Sequence, residues 1–517
     1  MSALENNTIY LIKYFEQQLK INRKDSLVII GITDNGEDYM RIIINNKILY
    51  ENTVYFMSKR GVGPFEYLIY IIEENKFKLN FFENRVFFDY FINTRPRQLH
   101  NLLLIKKDDK EKFIIGNEES CKLLHQFNET YRTNIGDSRT IDLRNKSLND
   151  SGIQSLFNIR LRLYNLILIN NDISNISSLN PKNLKNLRIL DLSDNKIKDL
   201  SPLSNMKFKN LRILNLNSNK LSNTDSLKNI NIKSLEQLYL SNNNISNIKF
   251  LEEINLENLE KLNLSQNKIT DISPLENTEF DKLKELDLDN NAIKDISILE
   301  RTNMNSLQTL NLSSNKIQEI FIKKLLNFKN LKYLFLEKNK IKQISLIGKV
   351  QLNHLLKLFL QYNLIEKINI KNFLKLNKLT ELNLSNNKLK EISFFEKLEL
   401  KKLKHLILAK NQIKNVNILG EMTLKNIEYL NLAYNDIDNI DFLKEFSLNV
   451  FNHIHLNNNK IKSILPLENM HITALNNLLI KDNLIDFNLQ QNKDILTNLI
   501  GYNVFHSNFF SLNNIEK

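Results

Sequence analysis

His453 and His455 lie closer together than any other two histidines in this 517-residue chain, in the stretch FNHIHLNNN. Residues two apart on a strand project from the same face, so the two imidazoles would lie side by side. A metal site needs a third ligand nearby. Tyr429 and Asn431 are expected beside them, without a carboxylate or thiolate, and His405 lies too far away to bind the same ion. We therefore predict a hydrogen-bonding contact surface, with no metal and no cofactor.

Other residue types that carry chemistry do not form a catalytic set. Gly61 and Gly63, in KRGVGPF, lack the Lys-Ser/Thr of a phosphate-binding loop and indicate a tight turn. No G-x-S-x-G nucleophile elbow occurs. Cys121 falls within a predicted amphipathic helix, where a buried apolar role is expected. The sequence predicts no enzyme, and an unrecognised catalytic domain in the N-terminal third is left as an alternative.

The elements that position these residues follow from an internal repeat. The pattern L-x-x-L-x-L-x-x-N-x-[IL] occurs fourteen times at a constant spacing of 24 residues. Leucines two apart predict a short strand, and the asparagine that follows turns the chain while its amide satisfies backbone groups. One such coil cannot bury its own apolar face, so successive coils must stack. The predicted turn asparagines are Asn171, Asn195, Asn219, Asn243, Asn267, Asn291, Asn315, Asn339, Asn363, Asn387, Asn411, Asn435, Asn459 and Asn483.

This pattern resembles the leucine-rich repeat over residues 138–490. NKIKDLSPLSN (195–205) and NKITDISPLEN (267–277) resemble the short-repeat class that includes internalins and the phosphatase-regulator type, whose repeat has about 22 residues. The resemblance implies an α/β solenoid, an arc with a parallel β-sheet on its concave side. We expect about 15 coils. The first is degenerate and has Lys146 at the asparagine position, and residues 491–517 form a C-terminal cap.

Residues 1–137 do not carry the repeat and predict a small α+β domain that caps the array or docks a partner. SLVIIGITDNGEDYMRIII (26–44) predicts a hairpin that turns at Asn35-Gly36, and residues 47–56 could add a third strand. Residues 63–75 and 118–131 predict helices.

Aromatic residues interrupt a face that should be polar. Counted from the first leucine of each repeat, positions 3, 5 and 8 should project onto the concave face, away from the core. Phe335 and Phe359 occupy position 5 of neighbouring repeats. Exposed apolar patches tend to be binding sites, although these rings could also simply cover coils altered by Lys323 and Lys371 at the usually apolar position 17. The predicted partner-binding residues are Tyr333, Phe335, Leu356, Phe359 and Tyr362, with a weaker group of His405, Tyr429, Tyr434, His453 and His455.

The chain has an excess of basic residues, so a polyanion is the alternative partner. The net charge is +13 and the pI about 9.3, but the lysines are dispersed. Lysine follows the turn asparagine at Lys196, Lys220, Lys268, Lys316, Lys340, Lys388 and Lys460. This edge could bind nucleic acid or an anionic membrane. Asp191 and Asp287 lie beside it without a row of stacking aromatics, so nucleic acid is not the expected partner.

The functional prediction is an intracellular scaffold for protein–protein interaction, monomeric by itself, that binds a protein partner on its concave face. A single cysteine fits a reducing compartment such as the cytoplasm. The first twenty residues do not have the pattern of a signal peptide, and no window has the length of a membrane span.

Overall fold

A computed structural model forms two compact units, Met1–Leu187 and Arg188–Lys517. The residues described are 27–34, 37–44, 47–53, 70–73, 76–79, 103–107, 110–114, 118–133, 140–159, 163–204, 206–322, 328–346, 352–422, 424–445, 452–468, 477–486 and 488–501.

The described residues of the N-terminal region form short antiparallel sheets and a helix. Its elements are a three-stranded sheet of Leu27–Asp34, Glu37–Ile44 and Lys47–Thr53, the pairs Tyr70–Glu73 with Lys76–Leu79 and Leu103–Lys107 with Lys110–Ile114, and the helix Glu118–Tyr131.

The predicted hairpin and the predicted helix over 118–131 are confirmed, while the residues of the Asn35-Gly36 turn lie outside the described part. The helix predicted over 63–75 is wrong in the segment that the structure describes. Tyr70–Glu73 is a strand, because its Tyr-Ile-Ile run favours extended backbone and pairs with Lys76–Leu79.

The repeat region builds one parallel sheet of 15 strands, as predicted. From Leu190 onward each strand is centred on a leucine or isoleucine that is buried, except for the half-buried Leu358, and these centres follow one another every 24 residues. The strands are Thr140–Asp142, Asn165–Ile167, Ile189–Asp191, Ile213–Asn215, Gln237–Tyr239, Lys261–Asn263, Glu285–Asp287, Thr309–Asn311, Tyr333–Phe335, Lys357–Phe359, Glu381–Asn383, His405–Ile407, Tyr429–Asn431, His453–His455 and Asn477–Leu479. We call the surface formed by the first and third residues of these strands the sheet face.

A left-handed residue precedes every turn asparagine. Residues at position 8, from Asn170 to Asp482, have φ between 51° and 58°. Asn, Asp and Ser fill most of these positions, in keeping with the tolerance of short polar side chains for this backbone region. Tyr362 and Tyr434 adopt the same conformation despite their size, so the turn is imposed by the stacked coils rather than by the local residue.

The returning side of each coil is usually a short helix. The 3₁₀ helices are Ser201–Leu203, Asp225–Asn229, Lys249–Glu252, Ser273–Asn277, Ser297–Glu300, Ser393–Lys397, Asp441–Glu445 and Leu465–Leu467, and the short α-helices are Pro181–Leu184 and Ile418–Glu421. Three consecutive coils return as parallel strands instead, over Glu319–Ile322, Gln343–Leu346 and Lys367–Ile370. A second, two-stranded ladder joins Leu374–Lys375 to Leu398–Glu399.

Two of the three strand-returning coils have a lysine at position 17, Lys323 and Lys371, whereas the middle one has Ile347. Leu275 and Leu299 occupy this position in helical coils and are buried, whereas Lys371 is exposed in the last of the three strand-returning coils. A lysine cannot fill the space between the sheet and the returning chain without burying its charge. Lys323, which also stands at position 17, lies outside the described residues.

The two ends of the repeat region differ from the coils between them. The first coil consists of Thr140–Asp142 and the helix Asn149–Phe157, and the Lys146 N–H donates to Asn171 Oδ1 at 2.9 Å. At the other end the helix Gln490–Gly501 buries Ile495. Residues 502–517 of the predicted cap lie outside the described part. No helix in the described ranges is long and apolar enough to span a membrane.

Candidate partner-binding face

Each turn asparagine joins two coils through buried hydrogen bonds. Asn291 Oδ1 accepts from the Ile269 N–H of the preceding coil at 3.0 Å. Its Nδ2 donates to the carbonyl oxygens of Leu264 and Leu288 at 3.0 and 3.1 Å, and to that of Asp289 at 3.2 Å. The same four bonds recur at every turn asparagine from residue 219 to residue 483. These side chains hold the sheet edge in place and are not available to a partner.

Polar groups at positions 5 and 7 satisfy one another in several coils that precede Phe335. Asn263 Oδ1 at position 5 accepts from the N–H and Oγ of Ser265 at position 7, at 2.9 and 2.7 Å. Asn311 Oδ1 accepts from the N–H and Oγ of Ser313 at 3.1 and 2.8 Å. This part of the surface therefore presents groups whose hydrogen bonds are already made.

In two adjacent coils position 5 is a phenylalanine, Phe335 or Phe359, which cannot accept this hydrogen bond. Their rings stack with centroids 5.3 Å apart and an interplanar angle of 15°. Both side chains are half-buried, as is Tyr333, while Leu334 points into the core and is 5% exposed. We call Phe335 and Phe359 the phenylalanine pair. The two rings form a flat apolar surface on a sheet face whose position 5 is mostly polar.

Two oxygen acceptors lie next to the phenylalanine pair at position 7. Glu337 Oε2 and Gln361 Oε1 are buried, and neither has a hydrogen-bond partner within the described residues. Lys357 lies on the other side, with Nζ 6.0 Å from the Phe359 ring centroid and 2.8 Å from Glu381 Oε2. The sequence interpretation considered only ring positions and missed these acceptors. The sequence did contain a signal for them, because position 7 has a long polar side chain in these two repeats and a serine in many others.

Tyr362, Tyr434 and Leu356 have different exposures. Tyr362 is 55% exposed and Tyr434 49%, both at the left-handed turn position. Lys410 Nζ lies 5.5 Å from the Tyr434 ring centroid. Leu356 is half-buried, one residue before the strand that carries Phe359. The two tyrosines thus lie at the turn that follows the sheet face.

The histidines cluster around Tyr429. Its ring centroid lies 6.1 Å from that of His405, 5.9 Å from that of His453 and 5.2 Å from that of His455. Tyr429 Oη lies 3.3 Å from His455 Nδ1 and accepts from Asn431 Nδ2 at 3.2 Å. We call His405, Tyr429, His453 and His455 the histidine cluster. Within the described ranges, no three His, Cys, Asp or Glu side chains are arranged to hold a metal ion.

Burial changes the pKa of two side chains of the sheet face, in opposite directions for His455 and Asp287. It lowers the pKa of His455, and the neighbouring charge of His453 lowers that pKa further. Burial raises the pKa of Asp287, which lies in a regular coil beside Asp289 and Glu285. In both cases the neutral form is favoured, because the sheet face is only partly open to solvent.

A cavity of about 70 Å³ lies behind the phenylalanine pair. Its lining includes Leu334 and Leu358 from the sheet and Ile344 and Ile368 from the returning strands. Leu358 is only half-buried, whereas the equivalent Leu286 of a regular coil is fully buried. A cavity thus lies directly behind the phenylalanine pair, which the sequence alone did not reveal.

The lysine edge is exposed at Lys196, Lys220, Lys268, Lys316, Lys340, Lys388 and Lys460. Lys460 Nζ pairs with Asp436 at 2.6 Å. Exposed pairs of this kind contribute little to stability, and carboxylates interrupt the edge. Its arrangement is that of a solvated surface.

Known leucine-rich repeats match much of this region. Models of tandem leucine-rich repeats match residues 185–229, 233–277, 257–301 and 281–325, and further leucine-rich repeat models match 305–365 and 378–398. No curated protein gives a significant sequence match.

Solved structures give the same result for the fold. An internalin of Listeria monocytogenes has 24% identity and a TM-score of 0.51, over 70% of this chain and 94% of its own. A leucine-rich repeat protein of Leptospira interrogans has 25% identity and the same TM-score, over 71% of this chain and 95% of its own. With the repeat, the asparagine turns and the continuous parallel sheet, these matches lead to one conclusion. The repeat region of this chain is a leucine-rich repeat array.

Proposed function

We propose that this protein binds a protein partner on its sheet face and that the phenylalanine pair is the main anchor. The supporting observation is the stacked, half-buried Phe335 and Phe359 on a sheet face whose position 5 is mostly polar. Aromatic side chains at the centre of a contact contribute much of the binding energy in protein interfaces. Leucine-rich repeat proteins generally act in protein–protein interaction and are typically not enzymes.

The histidine cluster extends the proposed contact. Five strand steps separate Tyr333 from His453 along the sheet, which corresponds to about 24 Å at the usual strand spacing. A single folded domain or an extended segment of a partner is long enough to contact both groups. The phenylalanine pair supplies apolar area, and the histidine cluster supplies polar contacts that fix orientation.

The test is a binding measurement with a variant that imitates the regular coils. Phe335→Asn with Phe359→Asn installs the residue found at Asn263 and Asn311, so the thermal stability should remain close to wild type. Partners captured from native cells by the wild-type protein are identified and purified. The affinity of the double variant for them should fall at least about 30-fold, the equivalent of about 2 kcal/mol.

Tyr239→Asn is the matched control, since it removes one aromatic residue from position 5 of a regular coil. Wild-type affinity in the double variant, or unfolding of the array, would show that the rings serve packing alone. Binding that instead falls steeply with salt would favour the polyanion alternative, because phosphate neutralisation releases counterions and burial of an aromatic anchor does not.

We also propose that the protein works as a scaffold inside the cell. The single cysteine, Cys121, fits a reducing compartment. Fractionation of native cells with an antibody to this chain tests the location, and recovery in the medium or at the cell surface would contradict it.

A further inference from the structure

The acceptors beside the phenylalanine pair form a continuous site with it. Backbone hydrogen bonds from Leu336 N–H to the Phe359 carbonyl oxygen (2.9 Å) and from Lys338 N–H to the Gln361 carbonyl oxygen (3.0 Å) join the two coils. Glu337 therefore lies beside Gln361, as Phe335 lies beside Phe359. The result is an apolar ring surface with two oxygen acceptors at one end.

These two coils have lost an internal hydrogen-bonding pair that others keep. Ser385 Oγ at position 7 donates to Asn383 Oδ1 at position 5 at 2.8 Å, as in the coils of Ser265 and Ser313. A phenylalanine ring offers no such acceptor, and the side chains of Glu337 and Gln361 bring additional oxygens. Glu337 Oε2 and Gln361 Oε1 have no donor within the described residues. Buried acceptors without donors raise the free energy of the unbound protein.

Two lysines near the site are engaged with other groups. Lys357 Nζ pairs with Glu381 Oε2 at 2.8 Å, and Lys332 Nζ donates to Gln308 Oε1 at 2.9 Å. Lys357 Nζ nevertheless lies 6.0 Å from the Phe359 ring centroid, so a cation is compatible with this ring. The site combines an aromatic surface, a carboxylate and an amide oxygen.

We propose that this site receives an arginine side chain of the protein partner. A guanidinium group is planar and stacks on aromatic rings, and its five N–H groups can donate to two separate oxygens at once. Its aliphatic stem lies along the phenylalanine pair while the head displaces the side chains that cover Glu337 Oε2 and Gln361 Oε1. This inference rests on the proposed function and specifies the chemistry of the anchor.

Selection from a random linear peptide library tests the inference without a known partner. Peptides are selected on the full-length wild-type protein and counter-selected on Phe335→Asn with Phe359→Asn. We expect the remaining peptides to share an arginine. Replacing that arginine by norleucine, or changing Glu337→Gln in the protein, should weaken binding at least about tenfold. Glu285→Gln removes a carboxylate from a regular coil of the same sheet face and should leave binding unchanged.

The outcomes separate the inference from the function on which it rests. Peptides that need the phenylalanine pair but tolerate norleucine and Glu337→Gln would overturn the arginine assignment and leave the proposed face intact. Failure to recover any peptide that depends on the pair would overturn both. Circular dichroism and thermal melting of each variant show that it is folded, so that lost binding can be assigned to the site.

Discussion

The regular coils around Asn263 and Asp287 and the coils that carry Phe335 and Phe359 share a backbone but differ on both of their sides. In the regular coils position 5 bonds to position 7, and a buried leucine at position 17, Leu275 or Leu299, fills the space behind the sheet. In the aromatic coils the bond is absent, the chain returns as a strand, and a cavity of about 70 Å³ remains. The comparison teaches that the exposed surface and the returning side of a coil can change at a few repeat positions while the turn asparagines and their hydrogen bonds are kept.

The largest expected effect tests whether the hydrogen bonds of the turn asparagines stabilise both kinds of coil. Asn291→Ala and Asn339→Ala each remove a buried side chain that bridges two coils through four hydrogen bonds. Each variant should lose about 1 to 3 kcal/mol of unfolding free energy, because buried backbone groups are left unpaired. Urea denaturation measures the loss. A variant as stable as wild type would show that the hydrogen bonds of the turn asparagine are dispensable in that region.

An intermediate effect tests position 17 of the returning side. Lys371 does not line the cavity itself, but Lys371→Leu restores the residue that is buried behind the sheet at Leu275 and Leu299, and burial of the new leucine in the same way should raise the unfolding free energy by about 1 kcal/mol. Lys375→Leu, at an exposed residue of the adjacent strand, is the control and should change little. Lower stability of Lys371→Leu would mean that the returning strands cannot accommodate a side chain there.

The smallest expected effect is a pair of opposite pH dependences. Asp287 has a raised pKa, so just above the ordinary value of 3.8 the folded protein binds a proton that the unfolded chain releases, and stability falls as pH rises. His455 has a lowered pKa, so just below 6.5 the unfolded chain binds more protons, and stability rises with pH. Asp287→Asn should remove the fall in melting temperature with rising pH just above 3.8, and His455→Asn should remove the rise just below 6.5. An unchanged slope in either variant would contradict the assignment.

The sequence by itself determined the solenoid. A strict spacing of 24 residues with leucines two apart and a following asparagine allows only short strands stacked in parallel, because every coil must bury the same apolar face. The strand centres and the inward direction of Leu334 and Leu336 follow directly from this periodicity. The lateral proximity of Phe335 and Phe359 follows from the same register, since residues one repeat apart meet on neighbouring strands.

Other features were decided only by the tertiary structure. Tyr70–Glu73 is a strand because pairing with Lys76–Leu79 overrides the apolar spacing that predicts a helix over 63–75. The unsatisfied oxygens of Glu337 and Gln361 and the cavity depend on which atoms reach one another across coils, which residue spacing does not encode. Periodicity fixes where a side chain starts, whereas packing density and hydrogen-bond partners depend on the filled volume around its end.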